Sequence, residues 1–149
     1  MAGTVSTVPA ALDALLQALS LALPKGVQLV DGQPIRTDPD VICIGFNGEP
    51  ETEMISITRR RADRGGRSDS ESYDISCIAS SWRGDTDPKL VRDRAFELVA
   101  LVEAELARDR TVGRTVARAY VTVSGVAPVQ TTKGAMCTCR FTIHVDAFT

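Results

Sequence analysis

The sequence predicts an α+β fold: an antiparallel or mixed β-sheet with two main helices packed on one face and one long charged β-hairpin. Two segments carry apolar residues at the three- and four-residue steps of a helical face, and six others are alternating or continuously apolar. The strands are clustered, in the order α–β–β–β–β–α–β–β, which is typical of α+β proteins. With 149 residues, 44% hydrophobic and 24% charged, the chain fits a single globular domain over residues 1–149.

The first helix is expected from about Val8 to Leu23. Thr7 is a suitable N-cap, Pro9 lies in the first turn, where proline costs little, and Pro24 ends the helix. Leucines recur along one face and indicate the side that is buried; they are Leu12, Leu15, Leu16, Leu19 and Leu23.

Four strands are expected before the second helix. Residues 27–30 form a short strand, and residues 41–46 are continuously apolar, which is typical of a strand buried on both faces. Residues 54–58 and 73–81 mostly alternate between apolar and polar side chains, and we expect them to pair as an antiparallel hairpin.

The segment 59–72, between the two hairpin strands, is the most positive part of the sequence. It holds five arginines against Asp63, Asp69 and Glu71. One interpretation is a solvated hairpin tip that keeps the sheet edges soluble. The other is a contact for nucleic-acid backbone or an acidic partner, in which the tip is mobile in isolated subunits and ordered on assembly. The candidate contact residues are Arg59, Arg60, Arg61, Arg64 and Arg67.

The second helix carries the clearest start signal in the sequence and runs to about Asp109. Asp87 at the N-cap accepts a free backbone N–H, and Pro88 at the first helical position fixes a helical φ. The apolar positions cover more than the roughly 100° stripe that packs on one sheet. We therefore expect a neighbouring subunit to cover part of this helix, with the interface candidates Leu90, Phe96, Val99 and Leu101.

Two strands complete the predicted sheet. Residues 119–124 alternate as a strand, residues 126–134 contain proline and glycine and are expected to be a loop, and residues 136–148 alternate most regularly of all. Cys137 and Cys139 share the apolar face of the last strand. We expect them to be buried, reduced thiols rather than a disulfide or half of a zinc site.

The sequence offers little for catalysis. His144 is the single histidine, and Asp146 lies two residues away on the same strand face. A small hydrolase that uses this pair is one alternative, but no nucleophile motif and no glycine-rich nucleotide motif accompanies it. We expect no catalytic residue, no cofactor and no metal site. The net charge of −2 argues against attraction of nucleic acid by the whole surface, and no apolar stretch is long enough to span a membrane.

Three segments carry a likeness to one protein family. They are the apolar strand ending in Gly45-Phe46-x-Gly48, the run Ser80-Ser81-Trp82-x-Gly84-x-Thr86-Asp87 followed by Arg94-Ala95-x-x-Leu98, and a tail with Gln130, Gly134-Ala135 and Val145-x-Ala147-Phe148. In these residues the chain resembles the tail terminator (tail completion) proteins of long-tailed, siphovirus-like phages of actinobacteria. The resemblance covers most of the chain.

The resemblance implies a structural virion protein at the tail–neck junction, assembled in the host cytoplasm. Such a protein forms a homo-oligomeric ring, expected to be a hexamer, at the head-proximal end of the tail tube. The ring ends polymerisation of the tail tube protein and joins the tail to the head–tail connector or stopper protein, while phage DNA makes transient contact with its lumen. A head–tail connector or stopper of the same neck region is the nearest alternative. The family has no fixed functional motif, so the resemblance assigns no residue.

Overall fold

The computed structural model describes residues 5–61 and 69–149 and confirms the predicted order of elements. These elements are α1 (Val8–Ala22), β1 (Val27–Asp31), β2 (Asp40–Ile44), β3 (Ile55–Arg60), β4 (Ser70–Arg83), α2 (Pro88–Arg108), β5 (Arg118–Thr131) and β6 (Gly134–Phe148).

The strands form one mixed six-stranded sheet in the order β1-β2-β4-β6-β5. β1 and β2 are parallel, and all other pairs are antiparallel. β4 is long enough to pair with two strands on the same side: β2 along its C-terminal part and β3 along its N-terminal part. The predicted pairing of β3 with β4 is confirmed from Ile55↔Ile75 to Arg60↔Ser70, while residues 62–68 at the hairpin tip lie outside the described residues.

Both helices cover the same face of the sheet and enclose the main core. Every second side chain of β4 and β6 points into this core, as the alternation of β6 predicts. The helices contribute the stripes that helical spacing requires: Ala11, Leu15 and Leu19 from α1, and Val91, Ala95, Leu98, Val99, Val102 and Leu106 from α2. The fold class is therefore α+β, as expected.

The opposite face is partly apolar and otherwise polar. A second, smaller cluster lies there against β2 and β4, formed by Val41, Cys43, Phe46 and Ile78. It explains why β2 is buried on both faces, as its continuous apolar sequence predicts. We call this side of the sheet the open face.

A buried carboxylate fastens α2 to the sheet. Asp40, at the start of β2, accepts hydrogen bonds from Ser81 Oγ (2.8 Å), Arg83 Nη1 (3.2 Å) and Arg94 Nε (3.0 Å). Burial alone would raise the pKa of Asp40, but the hydrogen bonds outweigh it and the pKa is lowered. Asp40 thus joins β2, β4 and α2 as an anion.

The prediction of a loop over residues 126–134 is wrong. β5 continues to Thr131, with a bulge between Val123 and Gly125, and pairs with β6 as far as Gly134. The apparent strand breakers fit because Gly125 lies at the bulge and Pro128 lies in an edge strand. Gly134 is required by space, because an added Cβ would lie 2.1 Å from the Arg83 carbonyl oxygen.

The two helices begin in different ways. The predicted cap of α2 is confirmed, since the Asp87 side chain accepts the Lys89 N–H at 3.0 Å. Thr7 holds the predicted N-cap position of α1, but its side chain makes no cap hydrogen bond; its backbone angles are helical and its hydroxyl donates instead to Glu71 Oε1 at 2.6 Å. The same oxygen accepts the Thr7 backbone N–H, so a carboxylate from β4 stabilises the start of α1.

The expected state of the cysteines is confirmed: all four are free and buried. Burial raises the pKa of Cys43 to about 11, of Cys77 to about 12 and of Cys139 to about 11. They are therefore protonated core residues at neutral pH.

Candidate interaction surfaces

The four interface candidates on α2 do not share one surface. Leu90 and Phe96 are half-exposed, at 53% and 42%, whereas Leu101 is partly buried and packs against the core. Val99 is a correction, because it is 4% exposed and belongs to the core stripe, so it is unavailable to a partner. Leu90 and Phe96 are separated by six positions, which places them about 120° apart around a helix.

Phe96 lies on the side of α2 that runs along β5. Two hydrogen bonds fix this arrangement: Val121 N–H donates to Glu103 Oε2 at 3.1 Å, and Gln130 Nε2 donates to the Thr86 carbonyl at 2.9 Å. Phe96 precedes Glu103 by seven positions, about two helical turns, so it lies on the same side of α2 as the contact with Val121.

The middle of β5 exposes apolar side chains on this helix-covered side. Val123 pairs with Phe141 and Val126 pairs with Cys139, and both β6 partners point into the main core. Yet Val123 and Val126 are 43% and 42% exposed. We call Phe96, Val123 and Val126 the β5 flank.

The outer edge of β5 is protected against pairing with another strand. Ala119 N–H donates to the Arg110 carbonyl at 2.8 Å, and Val121 N–H donates to Glu103. Farther along, Pro128 has no N–H to offer, and it occupies the same kind of outward-facing position as Val121, since both pair with odd-numbered residues of β6. The β5 flank is therefore suited to contact through side chains rather than to extension of the sheet.

A second apolar surface lies on the open face, at the end of the sheet near the β5–β6 turn. Trp82, Met136 and Val129 form a row across β4, β6 and β5, and Trp82 and Val129 remain 43% and 45% exposed. With Phe46 and Ile78 they line a groove of about 340 Å³. We call it the Trp82 groove.

A third apolar groove, of about 350 Å³, separates α1 from the C-terminal half of α2. Ala14, Ala18 and the highly exposed Leu21 line one side, and the ion pair between Glu105 and Arg108 lies on the other.

The arginines of the charged segment differ in their contacts with the rest of the chain. Arg59 pairs with Asp69 at 3.1 Å and donates to Thr149 Oγ1 at 3.2 Å, so it ties the hairpin to the chain end. Arg60 and Arg61 are exposed, and within residues 5–61 and 69–149 they form no ion pair. Arg64 and Arg67 lie outside the described residues, and their predicted role stays a prediction.

Two acidic residues of this segment have defined partners. Glu71 is 3% exposed and points toward the start of α1, where Ser6 and Thr7 donate to it. Asp69 pairs with Arg59.

His144 is held by carboxylates through both of its ring nitrogens. Nδ1 lies 2.7 Å from Asp74 Oδ1, and Nε2 lies 3.1 Å from Asp146 Oδ1. Ser72 Oγ, the nearby hydroxyl, donates to Asp146 at 2.7 Å. A catalytic triad needs a nucleophile hydrogen-bonded to one imidazole nitrogen, and this arrangement leaves neither nitrogen for it.

The described residues, 5–61 and 69–149, contain no cluster of three or more histidine, cysteine, aspartate or glutamate side chains that could hold a metal ion. Within the same residues, no helix has both the length and the apolar character needed to cross a bilayer.

Sequence reasoning missed both the Trp82 groove and the two valines of the β5 flank. Residues 126–129 are all apolar, so no alternation between apolar and polar side chains marks them as a strand. Gly125 and Pro128 indicate a loop instead.

No protein-family model matches the sequence, and no curated protein matches it. Among solved structures, a chain from the "Virion of native gene transfer agent (GTA) particle" is similar in structure, with a TM-score of 0.44 and 10% sequence identity. The match covers 97% of this chain and 100% of that chain.

Proposed function

We propose that this chain is a structural virion protein that forms a ring at the head-proximal end of a phage tail tube. There it ends polymerisation of the tube and joins the tail to the head–tail connector or stopper. The observation that carries the proposal is the exposure of apolar side chains on two opposite faces of a sheet whose core is complete. These surfaces are the β5 flank and the Trp82 groove.

Two different apolar surfaces favour a ring over a two-fold dimer. In a two-fold dimer, one patch meets its own copy, so a second patch stays uncovered. When one surface of each subunit meets a different surface of the next, the contact is heterologous and closes into a ring if the rotation allows. The β5 flank and the Trp82 groove lie on opposite faces of the sheet.

The residue types of these surfaces also support a protein interface. Large aromatic side chains dominate the binding energy of interfaces. The chain has one tryptophan, and Trp82 is 43% exposed; Phe96 on the other surface is 42% exposed. Exposed apolar residues that cluster in one patch, especially with a polar rim, mark interaction sites.

The arginine hairpin gives the ring a charged projection. Arg60 is the last residue of β3 and Arg61 follows it, next in the sequence to the segment with Arg64 and Arg67. In a ring, such a projection reaches either the lumen or the adjacent ring. We propose contact with carboxylates of a neighbouring protein, or transient contact with passing DNA, because few arginines carry this charge and tight phosphate binding needs many.

We also propose that the chain is not an enzyme. The hydrolase alternative depends on His144 acting as a base toward a nucleophile. Because both ring nitrogens of His144 contact carboxylates, the imidazole is arranged to hold a proton rather than to remove one from a hydroxyl.

Mass measurement in solution tests ring formation. We expect a closed oligomer, a hexamer, either alone or after addition of tail tube protein. A chain that stays monomeric and does not bind the tube protein overturns the proposal.

Tail assembly without this protein separates the terminator from its nearest alternative. Loss of a terminator gives tubes of uncontrolled length, whereas loss of a connector or stopper gives tubes of normal length without heads. Tubes of normal length with heads attached exclude both roles.

A further inference from the structure

His144 occupies the centre of a polar cluster on the open face, at the root of the arginine hairpin. Its ring joins Asp74 on β4 to Asp146 on β6 through the 2.7 Å and 3.1 Å contacts. Asp74 of β4 pairs with Ser56 of β3, so this carboxylate lies within the β3–β4 hairpin, near the start of β3.

The charged and titratable groups around the imidazole come from three strands. β4 contributes Asp74, and β6 contributes Asp146. β5 contributes Tyr120, whose ring centroid lies 5.1 Å from that of His144, and Arg118, which donates to Asp146 Oδ2 at 2.8 Å. Ser56 of β3, beside Asp74, carries no charge.

The two carboxylates differ in their number of hydrogen bonds and in their exposure. Asp146 accepts hydrogen bonds from Ser72 and Arg118 besides its contact with His144, and its side chain is 31% exposed. The Asp74 side chain is 55% exposed, and among residues 5–61 and 69–149 its hydrogen-bond partner is His144. Asp74 can therefore turn into water, whereas Asp146 is fixed.

The number of protons on the His144 imidazole determines how many of these two contacts can be hydrogen bonds. An imidazolium ion has two N–H groups and can donate to both carboxylates, whereas a neutral imidazole has one. After deprotonation, one of the two contacts loses its proton, and the exposed carboxylate of Asp74 is the one that can turn away into water.

We propose that His144 is a pH-sensitive clasp that, when protonated, reinforces the backbone pairing of β4 with β6 at the root of the arginine hairpin, and that releases Asp74 when neutral. This inference is independent of ring assembly, because every group involved belongs to one chain.

The direction of the pH effect follows from the surroundings of the ring. Burial lowers the pKa of His144, but the hydrogen bonds to Asp74 and Asp146 outweigh it, and the pKa is raised above its usual 6.5. The stability that the clasp contributes is therefore complete below the unfolded-state pKa. It is lost as the pH rises through the higher folded-state pKa.

The test combines an NMR titration of the His144 ring with hydrogen exchange of the whole chain. We expect a ring midpoint above 6.5 that falls in Asp74→Asn. Between pH 6 and pH 9, exchange at residues 70–76, corrected for intrinsic chemistry, is expected to accelerate about three- to tenfold, the range for a modest charge-assisted hydrogen bond. Exchange in β2 serves as the internal reference.

His144→Gln is the matched control, because glutamine keeps a donor but does not titrate in this range. Its exchange at residues 70–76 should show no step with pH. A ring midpoint at or below 6.5, or the same pH step in His144→Gln as in the natural chain, overturns the proposal.

Discussion

The two halves of β5 belong to the same strand and pair with the same neighbour, yet they are used differently. In residues 118–122, the outward N–H groups of Ala119 and Val121 are bonded within the chain, and Tyr120 lies against His144. In residues 123–131, nearly every side chain is exposed, including Val123 and Val126. We call them the sealed half and the open half.

The sealed half makes contacts within the chain, whereas the open half exposes apolar side chains that the fold itself does not bury. Polar or charged side chains would serve as well as valines on a strand that only faced water. The open half instead presents apolar side chains while its edge is interrupted by Pro128. Such a surface discourages sheet extension and retains the means for side-chain contact, which is why we assign it to assembly.

The largest effect on the free energy of unfolding is expected on the buried side of α2. Leu98→Ala removes a fully buried side chain of α2 and should lower the free energy of unfolding by about 2–5 kcal/mol, through lost burial and the cavity left behind. Leu90→Ala deletes the same atoms from a half-exposed position and should cost less than about 1 kcal/mol. Urea denaturation of both variants as monomers measures the difference. Equal losses would mean that α2 is not seated on the sheet as described.

A smaller effect is expected where α2 begins, beside the open half. Asp87→Ala removes the acceptor of the Lys89 N–H and should cost about 0.5–2 kcal/mol. Asp87→Asn is the control, because asparagine caps equally well and should unfold near the natural midpoint. Thermal melts of the two variants decide the point, and a melt of the alanine variant that matches the asparagine one would show that the cap contributes nothing.

These features differ in how far the sequence could predict them. The cap of α2 and the alternation of β6 are local patterns, so they were predictable and are confirmed. The role of Glu71 at the start of α1 depends on a contact with Thr7 across 64 positions, which no local pattern shows. Val99 was misplaced because α2 is apolar over a broad arc, and only packing separates its buried stripe from its exposed sides.

The open half of β5 also could not be predicted from local sequence patterns. Gly125 and Pro128 indicate a loop in the sequence, but a bulge and an edge strand accommodate both residues. The Trp82 groove could not be predicted either, because it requires the register that aligns Trp82, Met136 and Val129.

The protected edge of residues 118–122 in β5 can be exposed with a modest loss in the free energy of unfolding. Glu103→Ala removes the acceptor of the Val121 N–H and the 2.8 Å ion pair with Arg110, and should cost about 0.5–1.5 kcal/mol. Hydrogen exchange at the Val121 amide should rise in the variant. Glu97→Ala, which removes a carboxylate of α2 bonded to Arg94 rather than to β5, is the control and should leave that amide unchanged. An unchanged Val121 amide in Glu103→Ala would show that the edge is not sealed by this carboxylate.

The smallest effect on stability is expected in the open half, and it separates folding from assembly most sharply. Val123→Ser combined with Val126→Ser exchanges two half-exposed valines for hydroxyls, so the monomer should lose less than about 1 kcal/mol in total. If the β5 flank is a subunit interface, the same variant weakens or loses the oligomer, because assembly would then bury two hydroxyls in place of apolar side chains. Leu21→Ser is the control, since it removes an even more exposed apolar side chain from the groove between the helices, away from β5. Sedimentation of both variants next to urea melts gives the two quantities separately. A double variant that still forms the natural oligomer would remove the β5 flank from the interface, and one that unfolds like Leu98→Ala would place these valines in the fold after all.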